Sequence, residues 1–214
     1  MARSLWCSRK WQTKTHFIVN NVDALRKLCQ YSRGGLSVSG TIDIKRRRLI
    51  LIGSVDSDML RAVCVAFDAF EGASRKRPIR IILSSDGGES YISLGIYDRI
   101  KASPCKVTIE CLGEIMSAGT VILQAAYKRL LHSNTRFMIH YGTTSIREDS
   151  NAKDAISQIQ FEQYFDNPLL EDIYMSRVGK RLTRDKLREY LSSDSFFTAR
   201  RAVELGLADE VIKQ

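Results

Sequence analysis

Three stretches of the sequence hold residues that could do chemistry, and each follows a run of aliphatic residues. Ser117 lies in Gly113-Glu-Ile-Met-Ser117-Ala-Gly119, His140 follows Phe137-Met-Ile139, and two glycines end Ser84-Ser-Asp-Gly-Gly88. A serine at a helix start and a histidine at the next strand end could act as nucleophile and general base. Glycines after a strand leave backbone N–H groups open to a bound group, because no Cβ shields them. Together these residues indicate nucleophilic catalysis in which an oxyanion is stabilised.

Each stretch also has a purely structural interpretation. Ser84-Ser-Asp-Gly-Gly88 could be only a tight turn, and Ser117 could be an N-cap serine. A single histidine at a strand end is commonly a surface or satisfied core residue. His16 and His132 compete for the role of base, but His16 lies in a basic N-terminal segment and His132 precedes the last predicted strand. Spacing cannot choose, among 24 carboxylates, the acid that would orient a histidine.

The elements that must position these residues alternate along the chain. Short aliphatic runs predict strands, and apolar residues at helical spacing predict helices. The predicted strands cover 49–52, 79–83, 107–112 and 135–140; the predicted helices cover 59–69, 91–101, 117–127, 151–178 with a possible interruption at Pro168, 183–191 and 198–205; and 208–212 is a turn or strand. This alternation predicts an α/β fold with a largely parallel sheet. In such sheets ligands bind outside the carboxyl ends of the strands.

Composition excludes several classes of protein. The chain has 214 residues, of which 44% are hydrophobic and 27% charged, as in a single globular domain of ordinary size. The longest stretch without Asp, Glu, Lys or Arg is the 13 residues from Ile115 to Tyr127. That is well below the roughly 20 residues of a membrane-spanning helix, so we expect no membrane partner.

The net charge of +9 is confined to one end of the chain. Residues 1–48 hold 11 Lys and Arg against two acids, whereas residues 49–214 hold 22 of each sign. Residues 1–40 therefore form a basic N-terminal segment, in which 21–31 is predicted as a short amphipathic helix that ends before Gly34-Gly35. Nucleic-acid binding through Lys45-Arg-Arg-Arg48 is an alternative, but such a run is more often a solvated patch. We therefore expect no nucleic-acid partner.

The cysteines indicate a reducing compartment. There are five, an odd number, and no two are spaced as CxxC. This favours free thiols and a cytoplasmic location, and it argues against a zinc site or any other metal. The first 14 residues contain no acid, which leaves an organellar transit sequence, and hence a stroma or matrix location, as the alternative.

Several motifs, in one order, resemble the ClpP family of caseinolytic serine proteases. The stretch from Gly113 to His140 is similar to its pattern of G-x-x-x-S-x-G, an apolar helix, Asn and M-I-H. Ser84-Ser-Asp-Gly-Gly88 resembles the family's N-S-P-G-G turn, and 197–209 resembles its closing segment. The resemblance covers about 41–214, which would be the protease domain. It implies a ClpP/crotonase-like fold of repeated strand-helix units with a protruding handle helix at about 151–178.

The resemblance also implies a role for particular residues. Ser117 would be the nucleophile, His140 the general base and Asp194 the acid of a Ser-His-Asp triad. The backbone N–H groups of Gly88 and Ala118 would form the oxyanion hole. Substrate would add as a strand beside Gly87 and Gly88.

The implied protein is a self-compartmentalised endopeptidase of unfolded polypeptides. Its family forms homo-oligomers, as a heptameric ring or a stacked double ring, fed by an AAA+ unfoldase. The chain has no G-x-x-x-x-G-K-[ST] loop, so a partner would hydrolyse the ATP, and no cofactor is expected in this chain.

Departures from the family pattern leave other functions open. Asp86 replaces the proline of the S-P-G-G turn, Ala118 replaces a frequent methionine, and Tyr141–Asp149 replaces a glycine-rich stretch. The link Leu130-Leu-His-Ser-Asn134 is about two residues shorter, and 1–40 matches the axial loop poorly. The alternatives are a non-catalytic or regulatory ring subunit and an acyl-CoA enzyme of the related crotonase fold.

Overall fold

The computed structural model describes residues 40–142 and 151–212. The basic N-terminal segment and its predicted helix at 21–31 lie outside the described residues. In the described part of the chain, eight strands form one sheet: β1 (Gly40–Asp43), β2 (Arg48–Ile52), β3 (Ile79–Ser85), β4 (Val107–Met116), β5 (Lys128–His132), β6 (Arg136–Ile139), β7 (Ser195–Thr198) and β8 (Glu210–Ile212).

The sheet is parallel except at two pairings. Its main order is β1-β2-β3-β4-β5-β8, and β6 pairs with both β4 and β7. Only the β1–β2 and β6–β7 pairs are antiparallel among the described strands. The predicted α/β fold with a largely parallel sheet is confirmed.

Helices follow the strands as the sequence predicts. They are α1 (Ser57–Ala73), α2 (Ser90–Lys101), α3 (Ala118–Gln124), α4 (Ala152–Phe161), α5 (Asn167–Val178), α6 (Arg184–Leu191) and α7 (Ala199–Glu204). In α1 the Asp56 side chain caps the helix by accepting from the Met59 N–H. Apolar residues recur at helical spacing along one face of α1 and include Phe67 and Phe70. This face is fully buried against the sheet. Each such large apolar side chain contributes about 1.5–3 kcal/mol to folding.

Over the described ranges, none of the helices combines the length and the apolar character that crossing a membrane requires.

The strand β4 is longer than predicted, and it changes partner along its length. Its first half pairs with β5 and its second half, Glu114–Met116, pairs with β6. Gly113 lies between the halves with φ of +62°, a conformation that favours glycine. The predicted end of this strand at 112 is wrong, because the buried Ile115 and Met116 continue the sheet.

The predicted helix over 117–127 is too long. It ends at Gln124, and Lys128–His132 forms strand β5, which the sequence does not predict. Three of the five residues of β5 are lysine, arginine or histidine, so the strand has no aliphatic run that would mark it in the sequence.

The long helical segment predicted over 151–178 is confirmed, and its interruption has a definite form. Glu162–Asp166 is a π-helical turn that joins α4 to α5. Pro168 lies in the first turn of α5, where a missing backbone N–H is tolerated. The chain therefore continues through the proline with a π-turn before it.

Candidate active site

The pairing of β6 with β7 brings His140 beside Asp194. The two strands are antiparallel, with Ile139 opposite Ser195. The residue after Ile139 and the residue before Ser195 therefore face each other across the end of the ladder. His140 Nδ1 lies 2.7 Å from Asp194 Oδ1.

The pairing of β4 with β6 brings Ser117 to the same histidine. The strands are parallel, with Met116 opposite Met138, and the Ser117 N–H donates to the Met138 carbonyl over 2.9 Å. Ser117 Oγ lies 2.7 Å from His140 Nε2. Three residues that are far apart in the sequence thus form one continuous hydrogen-bonded chain.

The backbone of Ser117 is held in an uncommon conformation. Its φ of +47° is in the left-handed region, which costs a residue with a side chain about 1–3 kcal/mol. The Thr120 N–H and Oγ1 both donate to the Ser117 carbonyl, over 2.9 Å and 2.6 Å. Although Ser117 is the N-cap of α3, its side chain makes no cap hydrogen bond. The N-cap interpretation of its hydroxyl is therefore wrong, since Oγ is directed to His140 instead.

The hydrogen bonds fix which nitrogen of His140 can accept a proton. An ionised Asp194 only accepts, so Nδ1 carries the proton and Nε2 is left to accept from the Ser117 hydroxyl. The side chain of His140 is 21% exposed and that of Asp194 is 62% exposed. The histidine is thus shielded, whereas water reaches the carboxylate that orients it.

The turn after β3 lies against the serine. A Cβ on Gly87 would fall 2.8 Å from the Ser117 Cβ, and Gly87 has a φ of +112°. Gly88, with a φ of +142°, forms a parallel bridge with Val55. In that bridge the Val55 N–H donates to the Gly87 carbonyl, and the Val55 carbonyl accepts from the Glu89 N–H. The N–H and C=O of Gly88 therefore point away from Val55.

Two backbone N–H groups beside the serine are open. The N–H groups of Gly88 and Ala118 have no acceptor among the described residues. Ala118 begins α3, where the first N–H groups have no partner within the helix. These open N–H groups can donate to an incoming oxygen, as stabilisation of an oxyanion requires.

A cleft opens next to Ser117 and His140. Among the described residues, its lining includes hydroxyl and amide side chains, the apolar Leu94, Val121 and Leu170 of three helices, and one carboxylate, that of Asp166. Sequence reasoning missed Asp166, because nothing in the pattern marks the π-helical turn that brings it to the cleft.

Sequence reasoning also missed a polar network behind His140. The Tyr141 N–H donates to the Leu191 carbonyl over 2.8 Å, and its hydroxyl donates to Glu171 Oε1 over 2.8 Å. Arg184 and Arg188 each donate to the other Glu171 oxygen over 3.0 Å. Burial and this bond to Glu171 raise the pKa of Tyr141 to about 12. The residue after the histidine is thereby tied to α5 and α6.

The other candidate residues lie elsewhere. His132 is at the end of β5, and its Nε2 lies 2.6 Å from Glu110 Oε1. His16 lies outside the described residues. Cys111 is fully buried, which raises the pKa of its thiol and keeps it protonated. Within 40–142 and 151–212, no three His, Cys, Asp or Glu residues are grouped as a metal site would need.

Comparison with known proteins identifies relatives of the whole described region. Residues 38–214 match the Clp protease family. A protein of Deinococcus radiodurans named ATP-dependent Clp protease proteolytic subunit is 30% identical over 189 residues, which cover 86% of this chain and 90% of the relative. A Bdellovibrio bacteriovorus protein of the same name is 29% identical over 187 residues, which cover 86% of this chain and 87% of the relative. These matches confirm the resemblance and the fold that it implied.

Proposed function

This chain belongs to the Clp protease family of serine peptidases, and we propose that Ser117 is its nucleophile, His140 its general base and Asp194 the acid that orients the base. The observation that carries the proposal is the chain of two 2.7 Å contacts from Ser117 Oγ through His140 to Asp194. This is the arrangement of nucleophile, base and orienting acid that serine hydrolases share on unrelated folds.

The proposed reaction is hydrolysis of a peptide bond in two steps. Ser117 Oγ attacks the carbonyl carbon while His140 Nε2 takes the hydroxyl proton, and Asp194 stabilises the imidazolium. The N–H groups of Gly88 and Ala118 donate to the oxygen as it becomes negative. His140 then gives the proton to the leaving amine, and water releases the acyl group by the same path. No cofactor takes part in this chemistry.

Substrate would bind as an extended strand. The edge of Gly88 that faces away from Val55 offers an N–H and a C=O for main-chain pairing. Such pairing gives affinity with little side-chain selection, which suits unfolded polypeptides as substrates.

The proposed assembly is a homo-oligomer, as a heptameric ring or a double ring. Its support in this chain is the apolar surface of the segment Ala152–Leu169, where α4 has no buried residue. The exposed side chains of that surface are Ile156, Ile159, Phe161, Tyr164, Phe165 and Leu169. A second copy of the chain would cover them. Native mass spectrometry should show ring masses for wild type, fewer for Phe165→Glu, and an unchanged distribution for the control Lys153→Glu on the same segment.

The proposed partner is an AAA+ unfoldase, which would hydrolyse ATP and thread substrate. Its support is the name of the relatives, ATP-dependent proteolytic subunits, together with the missing phosphate-binding loop in this chain. A cytoplasmic location, or an organelle stroma or matrix, stays a prediction; Cys64, Cys105 and Cys111 are free thiols, as a reducing compartment favours.

Labelling with a fluorophosphonate tests the assignment of the nucleophile. Wild type should label and cleave peptides, whereas Ser117→Ala should do neither. Ser133→Ala changes an exposed serine and serves as the control, which should behave as wild type. Labelling that persists in Ser117→Ala would contradict the assignment. Wild type that forms rings yet neither labels nor cleaves would favour the non-catalytic ring subunit.

A further inference from the structure

Among the described residues that line the cleft beside Ser117, one has a carboxylate side chain. Its apolar lining comes from Leu94 on α2, Val121 on α3 and Leu170 on α5. Asp166, the last residue of the π-helical turn, lines the same cleft. A side chain next to the bond under attack would enter this cleft, because Ser117 and His140 also line it.

No partner neutralises Asp166 within the described part of the chain. It is half-buried, and neither a hydrogen bond nor an ion pair joins it to another described residue. Burial and the neighbouring carboxylate of Glu162 raise the pKa of Asp166, so its surroundings disfavour its charge. An ionised group that is partly removed from water gains most from a cation that enters with the substrate.

We propose that Asp166 makes this cleft select a lysine or arginine immediately before the cleaved bond, an inference that rests on the proposed function. The aliphatic stem of either residue packs on Leu94, Val121 and Leu170, while the cationic end meets the Asp166 carboxylate. Arginine can donate two parallel hydrogen bonds to one carboxylate, and lysine acts as a point charge. An apolar residue of the same length fills the cleft but leaves Asp166 without a partner.

Peptides that differ only in that one residue test the selection. Internally quenched peptides with lysine, arginine, norleucine or glutamate before the cleaved bond are compared by kcat/KM. Norleucine keeps the stem of lysine without its charge. Wild type should prefer lysine over norleucine by about 10- to 100-fold, the effect of a hydrogen bond to a charged group.

Variants of Asp166 should change the ratio of kcat/KM between the lysine and norleucine peptides and have little other effect. Asp166→Asn should lower kcat/KM for lysine by about 10- to 100-fold and leave norleucine within a few-fold. Asp166→Lys should reverse the order, so that glutamate is cleaved faster than lysine. Asp185→Asn removes a fully solvated carboxylate on α6 and is the matched control, which should keep the wild-type ratio.

Fluorophosphonate labelling distinguishes a failure here from a failure of the proposed function. Wild type and Asp166→Asn should label Ser117 at similar rates. If both label and both cleave the norleucine peptide at least as fast as the lysine peptide, selection by Asp166 is wrong while the peptidase assignment stands. If wild type neither labels nor cleaves any peptide, the proposed function fails and this inference fails with it.

Discussion

A Cβ atom on Gly87 would lie 2.8 Å from the Cβ of Ser117, closer than two side chains can approach. Gly87→Ala must therefore move the serine, the turn or both. The added methyl also meets a φ of +112°, which alanine adopts only with strain. Because a misplacement of about 1 Å at a reacting atom can reduce the rate about 100-fold, we expect a fall of that order in kcat/KM.

Peptide cleavage and circular dichroism check this prediction together. Gly72→Ala is the control, since a Cβ there meets nothing within 4 Å and the residue lies inside α1. It should keep full activity and gain about 0.5–1 kcal/mol of stability from the better helix former. Full activity of a folded Gly87→Ala protein would contradict the close contact.

The exposed position of Asp194 leads to a second prediction. Asp194→Asn can present its amide to His140 Nδ1 and so favour the wrong tautomer, in which Nε2 carries the proton. We expect kcat to fall about 10³- to 10⁴-fold while KM changes little. The rate of fluorophosphonate labelling should fall in parallel, because it depends on the same activated serine.

The control for Asp194→Asn is Asp185→Asn, which removes one exposed negative charge elsewhere. That variant should cleave as wild type does. If Asp194→Asn retains a third or more of the wild-type kcat, another group orients His140, and the assigned acid is wrong.

Glu171 accepts hydrogen bonds from Tyr141, the residue after His140, and from two arginines. We therefore expect the stability of the protein to depend on pH. Burial opposes ionisation of Glu171, but hydrogen bonds from Arg188, Tyr141 and Arg184 outweigh it and hold its pKa below the ordinary 4.5. A carboxylate with a lowered pKa stabilises the fold above its unfolded pKa, and that contribution is lost as the pH falls through the folded pKa.

Glu171→Gln should lower the free energy of unfolding by about 1–2 kcal/mol at pH 7, since both arginines remain partly solvated. Urea unfolding of the variant and wild type should converge as the pH falls below 4.5, where wild-type Glu171 becomes protonated. Glu189→Gln, an exposed acid on α6, should show no such difference. If the difference in free energy of unfolding between Glu171→Gln and wild type does not change with pH, the variant acts through packing and not through the charge of Glu171.

The sequence was sufficient to predict strands β2, β3, β4 and β6 and the helices that follow them, because their hydrophobic patterns are local, whereas β1, β5 and β7 were not predicted. Ser117 was singled out because it begins a predicted apolar helix, and His140 because it ends the predicted strand over 135–140. The partner change in β4 at Gly113 was not predicted, since pairing with β5 and then β6 is a property of the sheet and not of the ten residues of the strand.

The positions of Asp194 and of the cleft residue Asp166 could not be predicted from local sequence patterns. Asp194 was named only through the family resemblance, because the contact with His140 depends on the pairing of β6 with β7, two strands about 55 residues apart. Asp166 had no signal of any kind. Its position depends on a π-helical turn. Such a turn contains about one residue more than an α-helical turn, and this difference does not change the apolar pattern of the sequence enough to be recognised.

An ion pair between a buried arginine and a partly exposed aspartate gives the last prediction. Arg129 is 1% exposed, and its guanidinium lies 2.5 Å from Asp209 Oδ1 and donates to Gln124 Oε1. Burial opposes ionisation of Asp209, but the bonds from Arg129 lower its pKa. Asp209→Ala leaves the arginine buried without its counter-ion, and because Asp209 is itself 30% exposed we expect a loss of about 2–3 kcal/mol in the free energy of unfolding.

The adjacent residue provides the matched control, because Glu210 pairs with Lys128 where both side chains are about half exposed. Glu210→Ala should cost at most about 1 kcal/mol. Urea midpoints at one protein concentration measure both variants. The double variant Arg129→Met with Asp209→Ala should be more stable than Asp209→Ala alone, because it removes the unpaired charge. Equal losses for Asp209→Ala and Glu210→Ala would show that the pair of Arg129 with Asp209 adds nothing beyond a surface contact.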